Sequence, residues 1–234
     1  MTRLAAIVAV ALASAIALIA LSAGGGEPST TAPAPAGTTG PSGRAESAHL
    51  LAGIPQHGLS LGRPGAPLTL VEYADLQCPA CRMYSAGVFP QLVERYVRTG
   101  KLRIELRLQS FLGPDSVRAA QVAAAAAQQG LAWGFVDLFY RNQGEENSGY
   151  ATDAYLRHVA SGVPAMDVRR LLRERSDGAA AALVRAGAAE FARLGLEGTP
   201  SFRLGRTGGD IGVLPVQRLE PAEFTSAIDR MLAG

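Results

Sequence analysis

Residues 74–85 read ADLQCPACRMYS and contain the only two cysteines of the chain. A disulfide between Cys78 and Cys81 closes so short a loop that it removes little entropy from the unfolded chain. A pair with this spacing points to chemistry rather than to stapling. Before it, PLTLVEYAD (67–75) sets Leu68, Leu70, Val71 and Tyr73 between Pro67 and Asp75 and reads as a strand. After it, Cys81, Tyr84, Val88, Leu92 and Tyr96 recur at spacings of three and four, the period of a helix. Pro79 suits the first helical turn, where its missing N–H costs nothing, and Pro90 should kink or split the helix. KLRIELRLQ (101–109) alternates cleanly after Thr99-Gly100 and reads as a second strand. The stretch is therefore a βαβ unit with both cysteines at its strand-to-helix turn.

Further out, GLSLG (58–62) is a candidate short strand. TPSFRLG (199–205), DIGVLP (210–215) and a helix opening at Pro221 form a second block of strand, strand and helix. Between the blocks, residues 113–194 break into helical segments separated by Gly, Pro and polar residues. Trp133, Phe135, Phe139, Tyr140 and Tyr155 in this insert read as core and edge aromatics, and RRLLRERS (169–176) as a solvated helix face. The fold class is α/β. The expected division is 49–112 with 195–234 as one domain and 113–194 as a helical subdomain inserted into it.

The 234 residues are 48% hydrophobic, enough for a real core, and carry a net charge of +2 from 22 basic and 20 acidic residues. That balance argues against a nucleic-acid binder, which concentrates basic residues in a stripe. Leu4 to Ala23 is free of charge for 20 residues, long enough to cross a bilayer as a helix. Arg3 before it favours an orientation with the C-terminal part outside the cytoplasm. The alternative is a cleaved signal peptide, since Ala20-Leu21-Ser22 offers small residues before a cut. Either reading puts the rest of the chain where disulfides persist. Residues 24–48, rich in Gly, Pro, Ser, Thr and Ala, read as a disordered tether.

A cysteine just before a helix lies beside unpaired backbone N–H groups and the positive end of the helix dipole. Both favour the thiolate, and such cysteines fall to a pKa of about 3.5–7.5. Cys78 occupies this position and is expected to be the exposed nucleophile. Cys81, one turn on, is expected to be buried and to resolve the mixed disulfide.

The CPAC after a strand, the helical insert and Gly198-Thr199-Pro200 opening the second block resemble the DsbA-like disulfide oxidoreductases of the thioredoxin superfamily. VFPQLVERYVRTGKLRIELR (88–107) resembles the membrane-anchored bacterial members. The resemblance covers roughly residues 55–234. It implies a thioredoxin-like fold, a cis-proline at Pro200 facing the sulfurs, and a Thr199 backbone that pairs with an extended substrate. Pro79 and Ala80 would then line the substrate-binding surface. It also implies that Glu72, six residues before Cys78, is a buried acid that moves the proton of the inner cysteine. A carboxylate in an apolar strand needs such a reason, since burying it is costly; the alternative is that Glu72 points to solvent. The strongly oxidising members have a histidine between the cysteines where this chain has Ala80, which leaves the strength of oxidation open; the expected direction is that of an oxidase, and the alternative is a reductase or isomerase.

No bound cofactor is implied. The expected partners are secreted or cell-envelope proteins carrying thiols or disulfides, and a membrane redox protein, quinone-linked if the chain is an oxidase. With no dimerisation segment of the isomerase kind, the chain reads as a monomer in the cell envelope. A structural zinc wants four ligands, and His49, His57 and His158 are scattered far from the CxxC. Copper delivery lacks a Met-rich or His-adjacent motif. A tethered, non-catalytic binding or chaperone module is the alternative from another class, and Cys78→Ser separates the two: a binding module survives it.

Overall fold

The computed structural model describes residues 40–234. In chain order the first elements are α1 (Arg44–Leu51), β1 (Gln56–His57), β2 (Ser60–Leu61), β3 (Leu68–Asp75), α2 (Pro79–Gly87), α3 (Phe89–Leu92) and β4 (Leu102–Gln109). Five helices follow: α4 (Pro114–Gln128), α5 (Ala132–Arg141), α6 (Asp153–Ser161), α7 (Val168–Glu174) and α8 (Gly178–Arg193). The chain closes with β5 (Ser201–Arg206), β6 (Ile211–Val213) and α9 (Pro221–Ala233).

The strands form one mixed sheet in the order β1-β2-β4-β3-β5-β6. β3 and β4 pair in parallel at its centre, Leu68 opposite Leu102 and Asp75 opposite Gln109, as a βαβ crossover requires. The other neighbours are antiparallel, with Glu72 opposite Phe202 and Tyr73 opposite Ser201 on β5. Every residue of β3 is buried, which fits a central strand covered on both faces. One face carries α8, from which Glu190 accepts a 2.7 Å hydrogen bond from the Tyr73 hydroxyl and another of 2.7 Å from Arg107. α8 lies so close to β4 that a Cβ at Gly187 would stand 2.8 Å from the Leu108 carbonyl oxygen. On the other face, Tyr84 of α2 packs against Phe202 of β5 and Phe224 of α9, with ring centroids 4.7 and 5.4 Å away.

The helix after the cysteines is divided as Pro90 requires. α2 ends at Gly87, α3 carries Pro90 in its first turn, and a π-helical turn over Val93–Val97 completes the segment. Trp133, Phe135, Phe139 and Tyr140 of the insert are buried, Trp133 stacking on Phe89 at 5.2 Å, while Tyr155 is half-buried at the edge of the core.

The reading of 24–48 as a tether needs a correction at its end, because residues 44–48 belong to α1. Ser47, Leu50 and Leu51 of this helix are buried. Its last carbonyls are capped from afar: Arg98 donates to Leu50 O at 2.8 Å and to Ala52 O at 2.9 Å. An end satisfied by an arginine nearly fifty residues away leaves no local capping signal to read. Leu4 to Ala23 and the tether up to residue 39 lie outside the described residues. Among the described residues no helix is long and apolar enough to cross a membrane.

Candidate active site

The C-terminal ends of the parallel strands β3 and β4 lie at one edge of the sheet, and the CPAC turn leaves β3 there. Cys78 is the N-cap of α2, in extended conformation (φ −65°, ψ 120°), with Pro79 at the first helical position. Its N–H donates to Asp75 O at 3.0 Å, and its carbonyl accepts the first helical N–H, from Arg82, at 3.1 Å. This fixes the sulfur beside the free N–H groups of the helix start. Cys81, one turn on, is 0% exposed. Cys78 itself is only 7% exposed, more covered than a nucleophile at a turn suggests. The cover is the chain entering β5: the Cys78 thiol donates to Thr199 O at 3.2 Å. The Thr199–Pro200 peptide is cis, both residues are half-buried, Pro79 is exposed and Ala80 half-buried.

The two sulfurs are inequivalent. Cys78 is lowered from 9.0 to about 6, chiefly by the hydrogen bond that the Cys81 thiol gives its thiolate. Burial opposes this, and the Thr199 side chain and the N–H groups of Cys81 and Ala80 add to it. The bond to Thr199 O is open only to the thiol form, so ionisation exchanges one acceptor for several donors. Cys81 is raised well above the ordinary thiol range, first by burial and then by its bond to Cys78 and the nearby Glu72 carboxylate. Glu72 does not point to solvent. It is 2% exposed, and burial raises its carboxyl from 4.5 to about 8.

Sequence reasoning missed the polar residues that hold the turn from below. Asp75 is 0% exposed and accepts four hydrogen bonds: from Ser116 Oγ at 2.6 Å and from the N–H groups of Gln77, Phe111 and Leu112 at 2.9, 3.1 and 3.3 Å. Burial still raises its pKa. Gln77 donates to Leu112 O at 3.0 Å and to Ser116 Oγ at 3.1 Å, and accepts from the Asn147 N–H at 2.8 Å. Gln143 donates to Leu76 O at 2.7 Å and to Cys78 O at 3.3 Å. Tyr140 donates to Asp75 O at 3.2 Å. The only hint in the sequence was two polar residues, Asp75 and Gln77, just before the first cysteine. Apart from the bond between them, their partners are 35 to 70 residues away. Among the described residues no group of three or more His, Cys, Asp or Glu side chains could hold a metal ion.

A family model described as Thioredoxin matches residues 56–230. A probable disulfide bond formation protein D of Bacillus cereus is 34% identical over 118 residues, 49% of this chain and 55% of that protein. Its counterpart in Bacillus anthracis is 30% identical over 145 residues, 61% of this chain and 67% of that protein. The matched region thus spans little more than half the length of the first of these relatives. The crystal structure of oxidised BdbD from Bacillus subtilis superposes with a TM-score of 0.66 at 19% identity, covering 77% of this chain and 98% of that one. That likeness is one of fold, an α/β thioredoxin-like arrangement of mixed sheet and flanking helices. With the family match over most of its length and the two relatives beside it, the chain belongs to the thioredoxin family.

Proposed function

We propose that the protein is an extracytoplasmic thiol:disulfide oxidoreductase that works through Cys78 and Cys81 and runs as a disulfide donor. The observation that carries this reading is the asymmetry of the pair. One sulfur is held at a helix start against the Thr199 carbonyl with its pKa at about 6, and the other is buried with its pKa raised. Relatives named disulfide bond formation protein D support the same activity.

In the oxidised state a substrate thiolate attacks Cys78 Sγ. The Cys78–Cys81 bond breaks, the Cys81 sulfur takes the electron pair and then a proton, and a mixed disulfide remains on Cys78. A second substrate thiol attacks the substrate sulfur, its proton goes to solvent, and Cys78 leaves as thiolate. A stable thiolate is a good leaving group and favours the reduced enzyme, which makes the oxidised one a donor. Thr199 and Pro200 would offer backbone to an extended substrate, with Pro79 and Ala80 forming the surface around the sulfur. Glu72 would supply and take back the proton of Cys81. Residues 113–194 form the helical subdomain inserted in the thioredoxin-like domain. Leu4 to Ala23 is proposed as a single-pass anchor, with a quinone-linked membrane oxidase restoring the disulfide.

The test is the reduction potential of the pair in full-length protein equilibrated with glutathione buffers, with Cys78→Ser as control. A value toward −120 mV supports a donor, whereas about −270 mV would reverse the direction and make the protein a reductant. If no disulfide forms, the oxidoreductase reading fails and a binding module takes its place.

A further inference from the structure

The proton that Cys81 gains and loses in each cycle must reach solvent, and the front of the site is where a protein substrate sits. Behind it is a cavity with about 10 Å³ of room for a water centre, lined by Glu72, Tyr84, Ser85, Asp137 and Tyr140 among others. That is at the lower limit of what holds a single water. Tyr84 is 1% exposed, and its hydroxyl is buried without a hydrogen-bond partner among the described residues. A buried hydroxyl in that position costs free energy unless something satisfies it. The neighbouring Tyr140 hydroxyl is already bonded to Asp75 O, so Tyr84 is the free donor and acceptor facing the cavity.

The cavity adjoins a second recess of about 100 Å³, which shares Ser85, Asp137 and Tyr140 and extends to Arg82 and Ala86, both exposed. Asp137 is held at that junction by Arg141 at 2.7 Å. The titratable groups facing Tyr84 and Tyr140 come from three elements: Glu72 and Asp75 of β3, Cys78 and Cys81 at the start of α2, and the Asp137–Arg141 pair of α5. From β5 and α9 the neighbours of Tyr84 are Phe202 and Phe224.

We propose that this passage between α2 and α5 is a proton port. One water bound by Tyr84 Oη links Glu72, past the buried Ser85 and Asp137, to the second recess that opens to solvent at Arg82 and Ala86, so Cys81 exchanges its proton while a substrate covers Cys78. Tyr84 is a positioning residue, acting through the water. The inference rests on Glu72 serving Cys81, as proposed above. In the closing step the Cys81 thiol gives its proton to Glu72 and its sulfur attacks Cys78 Sγ. The outer sulfur leaves with the bonding pair as thiolate, and Glu72 passes the proton through the water to solvent.

The test is stopped-flow oxidation of the reduced full chain by oxidised glutathione. It separates attack by Cys78 from the later closing by Cys81 that expels glutathione. Tyr84→Phe keeps the ring and removes the hydroxyl. It is expected to slow closing roughly tenfold, below the range for a positioned acid or base itself. The attack step, the pH titration of the Cys78 thiolate and the melting temperature should hold. Ser85→Val, which narrows the mouth, is expected to slow closing as well. A wild-type closing rate in either variant overturns the port, and so does slowing accompanied by a shifted Cys78 titration, which would mark a structural disturbance. Glu72→Gln distinguishes the two layers of the argument. If it slows closing while Tyr84→Phe does not, Glu72 stands and the port falls. If neither slows it, the role of Glu72 falls with the port. If only Tyr84→Phe slows it, the link through Glu72 is wrong and the port as stated is overturned.

Discussion

The carbonyl oxygen of Thr199 lies 3.2 Å from Cys78 Sγ, across 121 residues of sequence. The contact joins the two blocks of strands at the sheet edge and sets what the sulfur can bond. As a thiol it donates to Thr199 O. As a thiolate it is held by Cys81, the Thr199 side chain and the helix start.

A cation at position 80 should deepen that thiolate well. Ala80→His puts an imidazole in the first turn of α2, where its charged form attracts the Cys78 thiolate. Each unit by which the Cys78 pKa falls corresponds to about 1.4 kcal/mol, or about 30 mV in the potential of the pair. The expected outcome is a lower thiolate titration midpoint together with a more oxidising potential. An unchanged potential would show that position 80 does not couple to the sulfur.

Glu72 makes the fold sensitive to pH. Its carboxyl is raised from 4.5 to about 8 by burial, so its cost to stability is absent below the lower value and grows as pH rises toward the upper one. Glu72→Gln stays neutral. It should stabilise the protein by at most ~3 kcal/mol at pH 7 and have no such effect at pH 4. Denaturant melts at the two pH values check this, and equal gains at both would contradict it.

Gln143 donates to the carbonyls of Leu76 and Cys78 at 2.7 and 3.3 Å. Gln143→Ala leaves both acceptors on the active-site turn without this partner and should cost about 1–3 kcal/mol. Hydrogen exchange should speed up at the amides of Leu76, Gln77 and Cys78 more than in the centre of β3. Uniform loss of protection would instead mean a general loss of stability.

Gly187 is the contact point of α8 on β4. A methyl there meets the Leu108 carbonyl oxygen at 2.8 Å, and backbone cannot yield as a side-chain tip does. Gly187→Ala should destabilise by roughly 1–3 kcal/mol despite the better helix propensity of alanine. A raised melting temperature would refute the close approach.

The sequence by itself determined the elements whose signal is local. β3, α2 and β4 follow from a buried run, a period of three and four, and a clean alternation, with Pro79 and Pro90 marking where the helix starts and divides. The unequal surroundings of the cysteines also follow locally, because a helix start and the turn after it differ in N–H groups and in depth. Tertiary structure alone decided what depends on distant partners. α1 is held in place because Arg98 caps its C-terminal end and Ser47, Leu50 and Leu51 are buried. Asp75 and Gln77 hold the turn through residues 111–147. Glu72 is buried because Phe202 pairs opposite it and α2 covers its face. Hydrophobic periodicity is written within a few turns of chain, whereas hydrogen-bond partners and the burial of a charge are set by whatever the fold brings alongside.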